Sequence, residues 1–90
     1  MPLKVVATRC GSAELKVENR WLSGAKLLFN GKCIAKNTNA IALDKSKPVM
    51  TSTVQIDGSD RLVEVYAYAP GWAINLKICV DGEYLAGDRF

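Results

Sequence analysis

Histidine is absent from the 90 residues, which removes the imidazole base on which Ser-His-Asp and Cys-His catalysis depend. Cysteine is scarce: Cys10, Cys33 and Cys79 are three widely spaced residues with no Cys-x-x-Cys pair. An odd, dispersed set argues against a disulfide scaffold and against a zinc cluster, and fits a reducing cytoplasm. No apolar run approaches the ~20 residues that cross a bilayer. The opening Met1-Pro2-Leu3-Lys4-Val5-Val6-Ala7-Thr8 is too short an apolar stretch for a secretory leader. A phosphate-cradling loop is missing too, because Gly24 and Gly31 lack the Gly-Lys-Ser/Thr ending and precede strands. Carboxylates are scattered, and Asp57, Asp60, Asp81 and Asp88 read as turn formers whose side chains bond local amides. These absences predict a cytoplasmic, non-enzymatic domain with no catalytic residues, no metal, no cofactor and no membrane span.

What is present is a repeat. An offset of 51 residues carries Trp21, Lys26, Gly31 and Ala35 onto Trp72, Lys77, Gly82 and Ala86. The same offset carries Asn30-Gly31 onto Asp81-Gly82, and Leu27, Phe29 and Ile34 onto Ile78, Val80 and Leu85. Each copy reads as Trp, a short gap, an apolar strand, a two-residue turn and a second strand. Asn-Gly and Asp-Gly are strong hairpin signals because a type I′ turn needs two consecutive residues at positive φ. Hydrophobic residues at 49% and charged residues at 23% exclude a disordered chain. At this length a single domain spanning 1–90 is expected, with pseudo-repeats at about 12–37 and 62–88.

Period-2 alternation marks the strands. Leu3–Thr8, Glu14–Glu18, Ala25–Phe29, Lys32–Lys36, Met50–Ile56, Leu62–Ala69, Ile74–Val80 and Glu83–Ala86 are expected as strands, with Ala40–Leu43 a further short one. Turns fall at Cys10-Gly11-Ser12, Asn37-Thr38-Asn39, Asp44–Pro48 and Asp57–Asp60. Eight or nine short strands with turns every eight to twelve residues predict an all-β fold, an antiparallel β-sandwich or small barrel. At a fixed offset Leu15 and Val17 fall on Tyr66 and Tyr68, yet alternation around Glu64 turns Val63, Val65 and Ala67 inward. One extra residue near Ala69-Pro70-Gly71 restores the match and leaves both tyrosines outward.

The segments Val17-Glu18-Asn19-Arg20-Trp21, Phe29-Asn30-Gly31-Lys32 and Val80-Asp81-Gly82-Glu83 carry a resemblance. From about residue 12 to 88 the chain resembles the β-sandwich of Fas apoptotic inhibitory molecule and of small bacterial domains of unknown function. That group repeats a strand, an aromatic residue, a strand, a DG or NG turn and a strand. The resemblance implies a compact sandwich with no enzymatic activity. Orphan all-β products of this size also occur among mobile bacterial gene cassettes.

Trp21 and Trp72 read either as plugs closing one end of the sandwich or as a stacking surface for a ligand. Across the two turns Phe29 is expected opposite Lys32, Leu28 opposite Cys33 and Leu27 opposite Ile34. The second copy sets Val80 against Glu83, Cys79 against Tyr84 and Ile78 against Leu85. Leu28, Cys33, Ala35, Cys79, Tyr84 and Ala86 then share outward faces, an apolar set that needs cover from a partner or from the chain itself. Residues 1–47 hold nine Lys/Arg and three Asp/Glu, whereas 48–90 hold three and six. Such asymmetry marks an anion-binding surface, orients two subunits, or is interleaved away in the folded sheets. The expected function is a self-associating interaction module, a homo-oligomer with an unknown protein partner. Its candidate interface is Leu28, Cys33, Tyr66, Tyr68, Cys79 and Tyr84. The alternative is a small barrel binding single-stranded nucleic acid or another anion through Trp21, Lys26, Tyr66 and Tyr68.

Overall fold

The computed structural model describes residues 3–20, 24–37, 46–68 and 74–90. Trp21, Trp72 and the strand expected over Ala40–Leu43 lie outside the described residues. Among the described residues there are eight strands: β1 (Leu3–Cys10), β2 (Ala13–Arg20), β3 (Gly24–Phe29), β4 (Lys32–Asn37), β5 (Met50–Ile56), β6 (Ser59–Tyr68), β7 (Asn75–Val80) and β8 (Glu83–Gly87). They form two four-stranded antiparallel sheets, β1-β2-β3-β4 and β5-β6-β7-β8, each a simple meander. At the sheet edges β4 runs beside β5, and β8 beside β1. The expected all-β sandwich is what forms.

Four two-residue turns lie at one end. Asn30-Gly31, Asp57-Gly58 and Asp81-Gly82 hold positive φ at both central residues, 50° and 84°, 52° and 82°, 52° and 83°. These are I′ turns, whose twist matches that of the strands they join. Gly11-Ser12 has positive φ only at Gly11 (58°), the II′ pattern. The Asp57 carboxylate accepts hydrogen bonds from the Ser12 hydroxyl and, at 3.2 Å, the Ser12 amide. Thus the turn of one sheet is tied to the turn of the other.

Alternation decides what is buried. Leu15, Val17 and Leu27 of the first sheet and Val63, Val65, Leu76 and Ile78 of the second have no exposed surface, and together with Val54 and Ile56 they make one continuous core. Each such side chain contributes roughly 1.5–3 kcal/mol by leaving water. Tyr66 and Tyr68 point away from that core, as expected from the phase around Glu64.

Pairing shows how the halves correspond. Leu15 faces Phe29 where Val63 faces Val80, so β2 maps onto β6 at an offset of 48 and β3 onto β7 at 51. Three residues separate Arg20 from Gly24 and six separate Tyr68 from Asn75. The insertion between the repeats is therefore three residues, not one; both are odd, so the inward phase is the same.

The hairpins correct a second expectation. Phe29 faces Lys32 and Leu28 faces Cys33, but Leu27 faces Ala35 instead of Ile34. Likewise Ile78 faces Ala86 instead of Leu85, with the register shift at the equivalent position. A β-bulge sets two residues against one. Accordingly Ile34 and Ala35, and Leu85 and Ala86, all pack against the core. Ala35 and Ala86 thus leave the outward set, while Leu28, Cys33, Cys79 and Tyr84 stay in it.

Candidate interaction surfaces

The outward residues form two separate patches, one on each side of the sandwich. On the first sheet Leu28 and Cys33 are paired, with Lys16 across from Leu28 on β2. The next row is Glu18, Lys26 and Lys36. Lys16 Nζ lies 3.6 Å from Glu18, but Lys26 and Lys36 sit side by side, so the face is basic. On the second sheet the equivalent row is Glu64, Cys79 and Tyr84. Position for position, Lys16 is replaced by Glu64, Leu28 by Cys79 and Cys33 by Tyr84. Leu62 and Tyr84 are the large apolar side chains most open on this face, 41% and 40% exposed. Cys79 is buried between its neighbours, and that burial pushes its thiol above its ordinary pKa.

The lower half of this second face is covered by the chain itself. Residues 88–90 cross it, and Phe90 stacks on Tyr68 with ring centroids 6.1 Å apart. The Lys77 ammonium lies 4.8 Å from the Tyr66 ring centroid and 4.5 Å from that of Phe90, and donates to the Phe90 carbonyl at 2.9 Å. Burial, with Glu64 nearby, raises the Tyr66 phenol pKa. Arg89 lies over the Tyr84 ring at 4.6 Å, and the Tyr84 hydroxyl donates to the Gly87 carbonyl at 2.5 Å. Tyr66 and Tyr68 are also on β6, a central strand, so no sheet edge runs beside them. Phe90 had no signal in the sequence, since nothing in its spacing ties it to Tyr68.

The residues of the ligand-binding alternative are divided. Lys26 is on the outer face of the first sheet and Tyr66 and Tyr68 on the outer face of the second, so these three do not line one groove. Trp21 lies outside the described residues.

A cleft of about 250 Å³ opens at the turn end, lined by Cys10, Arg61, Asp81, Glu83, Tyr84 and Leu85 among others. Arg61 is engaged there by Asp81 at 2.9 Å. Cys10, Cys33 and Cys79 are all free thiols. Among the described residues no three His, Cys, Asp or Glu side chains are grouped to hold a metal ion. Within the same residues no helix is long and apolar enough to cross a membrane. No family model, no curated protein and no solved structure matches the chain.

Proposed function

We propose that the protein is a non-enzymatic interaction module of the cytoplasm that associates with copies of itself. One observation carries the reading: the same outward row is apolar in both sheets, Leu28–Cys33 in one and Cys79–Tyr84 in the other. The side chain flanking that row is Lys16 in the first sheet and Glu64 in the second. Such rows are complementary, apolar against apolar with unlike charges beside them. Because the two faces look in opposite directions, the contact is head-to-tail and grows as an open stack. Three free thiols accord with a reducing compartment. Sedimentation velocity from about 5 to 500 micromolar tests the reading. The expected result is a mass that rises with concentration and falls with added salt. A single monomer species throughout this range overturns it.

A further inference from the structure

We propose that β5 is a second, independent docking site, where a strand of a second copy adds to the sheet in antiparallel pairing. The proposal goes beyond the face contact and stands without it. The Asp57-Gly58 turn makes Ile56 and Ser59 a hydrogen-bonded pair, so Ser52, Val54 and Ile56 turn their main-chain groups toward β6. The N–H and C=O groups of Thr51, Thr53 and Gln55 therefore point away from β6, to the side where the sheet ends and where β4 of the other sheet passes without a ladder to β5. Among the described residues no main-chain hydrogen bond reaches them from outside their own sheet. Their side chains are exposed on the outer face.

The four edge strands are not alike. β1 carries Lys4 and Arg9, and Lys4 is tied to Asp88 at 2.9 Å. β4 carries Lys32 and Lys36 and is interrupted by its bulge. β8 has only five residues and the matching bulge. Charges, bulges and short length are the devices that keep edges from pairing. β5, Met50-Thr51-Ser52-Thr53-Val54-Gln55-Ile56, has none: no charge, no proline, no glycine, and seven residues in unbroken register with β6. It is rich in the β-branched residues that favour strands.

The geometry points to a second copy as the occupant because β5 is complementary to itself. A two-fold axis at Thr53 sets Thr53 against Thr53 of the second copy and Thr51 against its Gln55. Roughly six main-chain hydrogen bonds then form, and each outward pair is neutral and polar. Leu62 of β6, which faces Thr53, continues that row on both sides. Glu64 faces Thr51 and Asp60 faces Gln55, so Glu64 and Asp60 of the second copy share a row. They stand three strand spacings apart, ~14 Å, beyond the ~8 Å screening length of physiological salt.

Amide hydrogen exchange of the intact protein, read by NMR at about 10 micromolar and about 1 millimolar, tests the pairing. The expected result is that the Thr51, Thr53 and Gln55 amides exchange freely when dilute and about tenfold more slowly when concentrated. Thr53→Lys should abolish that slowing without changing the thermal midpoint, since its side chain is exposed and its N–H is outside the β5–β6 ladder; Gln55→Lys gives the same readout should Thr53→Lys fail to fold. Tyr84→Asp should leave the slowing intact while removing stacked species, so the edge and the face fail separately. Protection already present in the dilute monomer means that the chain covers its own edge, and overturns the proposal. So do β5 amides that stay unprotected in the concentrated sample, or slowing that appears instead at Val5, Ala7 and Arg9 on β1.

Discussion

Asn30 holds Glu14 by both of its hydrogen-bonding ends: its amide donates to the Glu14 carbonyl at 2.9 Å, and its side-chain oxygen accepts the Glu14 amide at 2.8 Å. In the second sheet Asp81 holds Leu62 in the same way, at 2.8 and 3.0 Å. Each clasp joins the first residue of a turn to the neighbouring strand and satisfies an amide that the ladder leaves free. Asn and Asp suit the place because they also tolerate the left-handed backbone found there. The difference between the halves is charge, and the carboxylate additionally takes Arg61 at 2.9 Å.

That difference predicts a pH dependence. The Leu62 amide, then Arg61, hold the Asp81 carboxyl below the usual carboxylate range, and the Leu76 amide, then Lys4, do the same for Asp88. A carboxyl whose folded pKa is depressed contributes stability above its unfolded value, ~3.9. The contribution is lost as pH falls through the folded value. The thermal midpoint of the native protein should drop below about pH 4. Asp81→Asn should flatten part of that drop, because the amide oxygen can still accept from Leu62 as Asn30 does from Glu14. Parallel midpoint-versus-pH curves for the two proteins would remove Asp81 from the account.

Glycine replacements separate two costs. Gly31 and Gly82 sit at φ 84° and 83° with open space where a Cβ would project. Gly31→Val or Gly82→Val should therefore cost more than ~1 kcal/mol from backbone conformation alone. That is a fall of roughly 4–8 °C for a domain of this size. Gly87 sits at φ 102°, and a Cβ there would collide with the Leu76 carbonyl and press on Lys77 Cα at 3.0 Å. Gly87→Ala should lower the midpoint further than Gly31→Ala. An equal effect would show that the strand yields locally.

Much of the fold was legible because two-residue turns and period-2 alternation are local properties. Asn30-Gly31 and Asp81-Gly82 announce I′ turns, and Leu15, Val17, Val63 and Val65 announce their face. The bulges at Ile34 and Leu85 were not legible, since those apolar residues suit an ordinary strand as well as a bulge. Only pairing with β3 and β7 reveals the extra residue, and it is what turned Ala35 and Ala86 inward. The cover over Tyr66 and Tyr68 was hidden for a related reason. Phe90 reaches them through the path of residues 88–90, a tertiary matter with no periodicity to betray it.

That cover gives a further test. Phe90→Ala removes the ring stacked on Tyr68 and one of the two aromatic faces offered to Lys77. An aromatic pair is worth ~0.5–1.5 kcal/mol beyond its area, so a modest fall in midpoint is expected. The ring-proton shifts of Tyr68 should move toward free-tyrosine values, whereas those of Tyr84 should not. Unchanged Tyr68 shifts would show that residues 88–90 do not lie on this face in solution.

The paired outward rows give the test of function. Leu28 sits beside Lys16 and Cys79 beside Glu64, so the head-to-tail reading uses both apolar rows and both charges at once. Leu28→Asp should repel nothing within its own sheet, yet it should place a carboxylate on the surface the reading assigns to a neighbouring copy. Tyr84→Asp acts from the other side. Each variant should keep its fold, shown by an unchanged circular dichroism spectrum, and lose every species larger than the dimer that β5 pairing allows. The charges add a sharper criterion. Lys16→Glu alone and Glu64→Lys alone should each weaken stacking, because each sets like charges together across the contact. The double variant restores opposite signs and should recover most of the association, with the same loss at high salt. Recovery of this kind requires that residue 16 of one copy meets residue 64 of another. If the single charge changes leave sedimentation unaltered, the two rows do not meet, and Leu28 and Tyr84 are surface residues that make no stacking contact.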